Sequence, residues 1–199
     1  MNSFRTYFLE PWREDWHAWE RFGWDLGRSP WAKAASIVRY NGLRATLILR
    51  LASWASRARM PFVPTLLTQL NVTLHSFELP PSVPIGGGLY LVHTVGTVIT
   101  AERIGRNVTI QSGVTIGLRD RPAFPTIEDD VLIGTGAKVL GPVTVHRGAA
   151  VAAGAVVLED VPEGTTVAGV PARVMGRRNA GSRSANAKRH LEVVAGGGS

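Results

Sequence analysis

No cysteine occurs among the 199 residues, which excludes disulfides, thiolate metal sites and a cysteine nucleophile. No apolar run approaches the roughly 20 residues needed to cross a bilayer; the richest stretch, Leu47–Leu49, lies between Arg44 and Arg50. Met1–Glu10 lacks a basic segment followed by an apolar one, so no secretory signal is read and a cytoplasmic protein is expected. A continuous basic face with interleaved aromatics is also missing, despite a net charge of +7, and nucleic acid is not an expected partner. Residues 1–77 carry ten Lys/Arg against five Asp/Glu, residues 78–172 six against nine, and residues 173–199 six against one. Basic ends on a mildly acidic middle suit a phosphorylated small ligand, an anionic membrane surface, or solubility alone.

What the chain does have is a beat of six. Aliphatic residues recur at Ile104, Ile110, Ile116, Ile127, Ile133, Val139, Val145, Val151 and Val157. Four places after most of them stands a second small or branched apolar residue, as at Val108, Val114, Val131, Ala137, Val143, Ala149, Ala155 and Val161. Neither a helical period of 3.6 nor a strand period of 2 explains this. A coil with three flat sides and one hexad per side does, each coil pointing its beat residue inward and stacking on the next. The fold class is mainly β, a parallel β-helix over residues 78–175, preceded by an α-helical region over 1–77 and followed by a basic low-complexity tail over 176–199 that is expected to be disordered and ends in Gly-Gly-Gly-Ser.

In the helical region, Trp12, Trp16, Trp19 and Gly23 share a face after Pro11. Ser29-Pro30 reads as an N-cap with proline at the first helical position, and Asn41-Gly42 as that helix's end. Leu43, Leu47, Leu51 and Trp54 form the next stripe, with Arg44, Arg50, Arg57 and Arg59 off it and Pro61 as its stop; Pro64–His75 reads as a last short helix. All six tryptophans precede residue 55. They suit either packing of helices on each other and on the β-helix end, or an interfacial surface resting on lipid headgroups.

One interruption breaks the beat. After Ile116 the next is due at 122 but arrives at Ile127, which ejects the polar, proline-bearing stretch 118–126. A loop thrown out of a regular solenoid reads as functional. With coils started at Leu91, Ile110, Ile133 and Val151, the residues two places on are His93, Ser112, Thr135 and Ala153, which should stack on one outward edge. An edge of small residues lets an extended ligand lie against the backbone. At its far end Arg173, Arg177 and Arg178 suit phosphates. His146 is expected to face solvent, and Asp129-Asp130 to serve a coil corner; His17 and His190 lie outside the repeats.

The stretch Ile85-Gly-Gly-Gly-Leu-Tyr-Leu-Val-His93-Thr-Val-Gly-Thr-Val-Ile99 resembles the active-site segment of hexapeptide-repeat O-acetyltransferases. The likeness is nearest to the serine acetyltransferase-like branch, including its exopolysaccharide- and capsule-modifying members. Gly113–Gly117, Val131–Gly141 and Val167–Arg173 resemble further motifs in the same order, over about residues 75–175. The resemblance implies a left-handed β-helix, acetyl-CoA as co-substrate, no metal, a homotrimer with sites between neighbours, His93 as general base and Glu78 as its carboxylate partner. It further implies that Gly117, Thr135 and Ala153 line the coenzyme arm and that Arg173 meets its phosphates.

Two departures bear on the acceptor. Serine acetyltransferases carry an aspartate before the histidine and an Arg-His pair before the loop proline; here Val92, Ala123 and Phe124 stand there. A sugar or polysaccharide hydroxyl is therefore the expected acceptor, with Phe124 stacking on the ring and Arg119, Asp120 and Arg121 adding polar contacts. The alternative is serine O-acetylation in cysteine biosynthesis. Two other classes are a non-catalytic solenoid scaffold and a zinc enzyme on the same coil; the latter needs three histidines, and the repeats hold only His93 and His146. The basic, Trp-rich helices would suit an acceptor held at a membrane.

Overall fold

A computed structural model describes residues 3–120 and 122–178. Arg121, with its expected acceptor contact, the tail from 179 and His190 lie outside the described residues. A π-helical turn, Arg5–Leu9, runs into α1 (Glu10–Arg21), followed by α2 (Pro30–Arg39), α3 (Asn41–Arg57) and α4 (Val63–His75). Ser29 caps α2 as read: its Oγ accepts from the Ala32 amide at 3.1 Å, with Pro30 in the first turn. α3 follows at once, with Tyr40 as the only joint.

The face that α3 buries is not the stripe read from sequence. Leu43, Ala45, Ile48, Leu49, Ala52 and Ala55 are buried, whereas Leu47, Leu51 and Trp54 are half-buried. Arg50, read as off the stripe, is 2% exposed and meets Asp15 of α1, which is 0% exposed. Arg50 Nε and Nη2 donate to the two Asp15 oxygens at 2.8 and 2.9 Å, and Nη1 and Nη2 donate onward to Ile85 O and Gly86 O at 3.0 and 2.6 Å. Asp15 also accepts from the Leu89 amide at 2.8 Å. One ion pair thus ties two helices to the first coil. Sequence periodicity had no means of seeing it, because both residues break the apolar pattern.

The tryptophans mostly pack. Trp16 and Trp19 are buried with Leu26, Leu43 and Tyr90, while Trp12 and Trp24 pack against that cluster. Trp24 Nε1 donates to Tyr90 Oη at 2.7 Å, and Trp54 meets Phe4 edge-on. Trp31 alone stands out, 85% exposed.

From Phe77 the chain winds into a three-sided parallel solenoid. The first face stacks β1 (Phe77–Glu78), β3 (Thr97–Ile99), β6 (Thr115–Gly117), β9 (Lys138–Leu140) and β12 (Val156–Val157). The second stacks β4 (Arg103–Ile104), β7 (Thr126–Ile127) and β10 (Thr144–Val145). The third stacks β2 (Tyr90–Val92), β5 (Thr109–Gln111), β8 (Leu132–Ile133), β11 (Ala150–Val151) and β13 (Thr165–Ala168), closed by an antiparallel β14 (Arg173–Arg177). Every beat residue from Ile104 to Val157 is at most 2% exposed. Each such side chain removed from water contributes about 1.5–3 kcal/mol, which makes the hexad pattern the main source of stability. Leu91, Ile110, Ile133 and Val151 pair in register, as the coil starts required. The corners turn on left-handed residues: Gly113 has φ +67°, and a Cβ there would come within 3.7 Å of Gly136 on the next coil. The helices cap one end, with Ala45 and Leu49 joining Phe77 and Leu91 in a single core, and the β13–β14 hairpin closes the other.

Candidate active site

His93 lies at the corner between the third and first faces. Six residues separate Leu91 from Val98 there, whereas four separate their partners Ile110 and Thr115 on the next coil. The first coil therefore carries two extra residues at this corner, and His93 adopts a left-handed backbone with φ +52°. Few non-glycine residues occupy that region without local support. The support comes from the α4–β1 junction: Thr94, buried, donates its Oγ1 to His75 O at 3.0 Å, and Gly96 N donates to Ser76 O at 3.1 Å. The His93 side chain itself is exposed.

The insertion changes the expected edge. Gly113 N donates to Val95 O, Gly136 N to Ser112 O and Gly154 N to Thr135 O. Val95, not His93, is thus the residue laddered with Ser112 and Thr135, and His93 bulges at the head of the edge. Thr135 and Ala153 are exposed on it, as read. Gln111, which the sequence reading passed over, occupies both Thr135 groups: its Oε1 accepts from the Thr135 amide at 2.9 Å and from its hydroxyl at 3.0 Å. A polar residue one place past a beat residue points outward, and that was the available signal.

Glu78 is on β1, paired with Val98 of β3, the strand that His93's corner feeds. It is exposed, and no hydrogen bond or ion pair joins it to His93 within the single chain. Gly117 does not share the edge. It ends β6 beside Leu140, where the chain leaves the first face for the 118–126 loop, and a side chain at this position would meet open space. The crossing of one strand puts it at the opposite corner. Arg173 sits opposite Ala168 at the far end of the edge and is exposed. From His93 to that level is four coil steps, about 19 Å at the usual strand spacing.

The other two arginines belong elsewhere. Arg177 pairs with Thr165 at the opposite end of β13. Arg178 Nη1 donates to Asp130 O, Gly148 O and Ala149 O at 3.0, 3.0 and 3.1 Å, so its guanidinium stitches two successive coils instead of waiting for a phosphate. The short β14 reverses the chain and carries these residues away from the edge. Asp129 and Asp130 serve a corner: Asp129 accepts from the Arg106 amide at 2.8 Å, and Asp130 has φ +63°. His146 faces outward, 3.5 Å from Glu128. Among the described residues no group of three His, Cys, Asp or Glu side chains is placed to hold a metal.

Behind the corner, His75 is buried and its Nε2 accepts from Arg44 Nε at 3.3 Å. Burial, reinforced by the Arg44 charge, lowers its pKa below the ordinary histidine value, so the ring is held neutral.

A hexad-wound solenoid headed by a bulged, exposed imidazole defines the class of hexapeptide-repeat transferases. The profile described as "Bacterial transferase hexapeptide (six repeats)" matches residues 124–159. The chain is 44% identical to the serine acetyltransferase of Bacillus licheniformis over 144 residues, 70% of this chain and 66% of that one. It is 37% identical to that of Helicobacter pylori over 143 residues, 70% of this chain and 84% of that one. The solved serine acetyltransferase of Brucella abortus in complex with coenzyme A superimposes with a TM-score of 0.74 at 31% identity, over 86% of this chain and 68% of that one. The chain belongs to the serine acetyltransferase family of left-handed β-helix proteins. It spans 66% of the length of the Bacillus relative.

Proposed function

We propose that the protein transfers an acetyl group from acetyl-CoA to an alcohol by direct attack, with His93 as general base. The observation that carries this is the His93 corner: an exposed imidazole on a supported left-handed bulge, at the head of an edge of small residues with Arg173 at its other end. The acceptor oxygen attacks the thioester carbonyl as the imidazole takes its proton; the C–S bond then breaks and the proton passes to the departing thiolate. Such a base contributes about 10²–10⁴-fold. Glu78 on the neighbouring strand would hold the ring's other nitrogen and stabilise the imidazolium. The pantetheine arm lies along Thr135 and Ala153. A trimer fits this reading: His93 and the start of the 118–126 loop leave the first face at opposite corners, so a neighbouring copy would be needed to bring them together.

L-serine is the acceptor we assign first, since the relatives are named for it. The expected glycan acceptor moves to second place. It retains one specific support: Val92, Ala123 and Phe124 replace the family's polar residues, and Val92 packs on the Trp19–Tyr90 cluster where it offers an amino acid nothing. Incubation with acetyl-CoA and L-serine, following thiol release, should give turnover that His93→Ala lowers about 10²–10⁴-fold without moving the unfolding midpoint. Turnover on sugar acceptors but not on serine selects the second reading. Equal rates for wild type and His93→Ala exclude both.

A further inference from the structure

Residues 26–77 contain seven Lys/Arg and no Asp or Glu. Within them, α2 turns an apolar side to solvent. Its inner side is accounted for: Ser36 is buried, donating to Leu26 O and Ala32 O at 3.0 Å each, and Ile37 packs on the tryptophan cluster. The outer side holds Trp31, Ala34, Ala35 and Val38, at the i, i+3, i+4, i+7 spacing of one helical stripe, with Trp31 85% and Val38 71% exposed. Arg28 and Arg39 are exposed at the two ends of this stripe, and neither makes an ion pair among the described residues; Lys33 belongs to the inner side, its Nζ 5.7 Å from the centre of the Trp16 ring.

We infer that this face of α2 docks on an anionic phospholipid surface, Trp31 and Val38 entering the headgroup layer and Arg28 and Arg39 meeting lipid phosphates and carboxylates. Charge decides between lipid and a second copy. A two-fold contact through the same patch would set Arg28 and Arg39 against themselves, whereas an anionic bilayer neutralises them. An apolar stripe of Trp and Val with cations at its ends matches the composition of helices lying in the interface plane. No described helix is long and apolar enough to cross the membrane, so the contact is peripheral.

The test is co-sedimentation of the full chain with vesicles of phosphatidylcholine containing phosphatidylserine, and with phosphatidylcholine alone, at low and high salt. Binding should require the anionic lipid and weaken with salt. Trp31→Ser should lower partitioning roughly tenfold. Arg28→Glu should lower it at least about fivefold. Both variants should keep the wild-type unfolding midpoint and thiol-release rate, since neither residue lies at the His93 corner; catalytic failure and docking failure are therefore separable. Absence of binding, equal binding to the two vesicle types, or a change of oligomeric mass in Trp31→Ser overturns the inference, the last by showing that another copy covers this face.

Discussion

Replacing Arg50 with methionine keeps most of the side-chain stem and removes the guanidinium. Asp15 loses bonds of 2.8 and 2.9 Å, and the Ile85 and Gly86 carbonyls lose theirs, in a site where the partners are 2% and 0% exposed. Leaving one member of a buried pair behind costs about 3–5 kcal/mol. At about 2–4 °C per kcal/mol for a chain of this size, the unfolding midpoint should fall by roughly 6–20 °C. Thermal unfolding followed through the tryptophan near-ultraviolet signal, at fixed protein concentration, reads this directly. The pH dependence adds a signature. Burial pushes the Asp15 carboxyl up while Arg50 pulls it down. The upward push outweighs Arg50 already and grows without it, so the folded variant holds its proton to higher pH than the wild type does, whereas the unfolded chain releases it near the ordinary carboxylate value. Stability from such a group is present below its unfolded pKa and lost as pH rises through the folded one. The deficit of Arg50→Met should therefore widen from acid to neutral pH, and Asp15→Asn in the same chain should narrow it. A midpoint within about 2 °C of wild type at neutral pH would refute the claim that this pair anchors the helices to the first coil.

His75 predicts the opposite sign. Its folded pKa is lowered, so the unfolded chain takes up a proton near 6.5 that the folded chain refuses, and stability should fall as pH drops below that value. His75→Gln should flatten the acid limb of a midpoint-against-pH curve; an unchanged limb rules the buried neutral ring out as its cause. Gly42→Ala drives a Cβ into Leu91 O and to 2.9 Å from Trp19 Cζ2, forcing α3 off the third face, and should cost at least about 2 kcal/mol by denaturant titration. Ala153→Trp fills the small-residue edge four coil steps' span from Arg173 to His93 and should raise KM for acetyl-CoA at least about tenfold with the fold intact. An unaltered KM would move the coenzyme arm off that edge.

The hexads were legible because a period of six has one structural solution, and Ile110, Ile133 and Val151 obey it coil after coil. The α2 cap at Ser29 was legible because capping is a contact within four residues. His93, Glu78 and the ejected loop were found by likeness and position along the chain, and local rules place them at the solenoid surface. Tertiary structure decided the rest. The two-residue bulge under His93, the separation of Gly117 from the edge and the diversion of Arg178 into three carbonyls each depend on which coils stack, and a one-residue change in a corner alters them. The Asp15–Arg50 clamp joins residues 35 apart whose charges argue for the surface when read singly. Periodicity reports which side chains leave water, and it carries no record of which polar groups are taken in with them or of what they hold once inside.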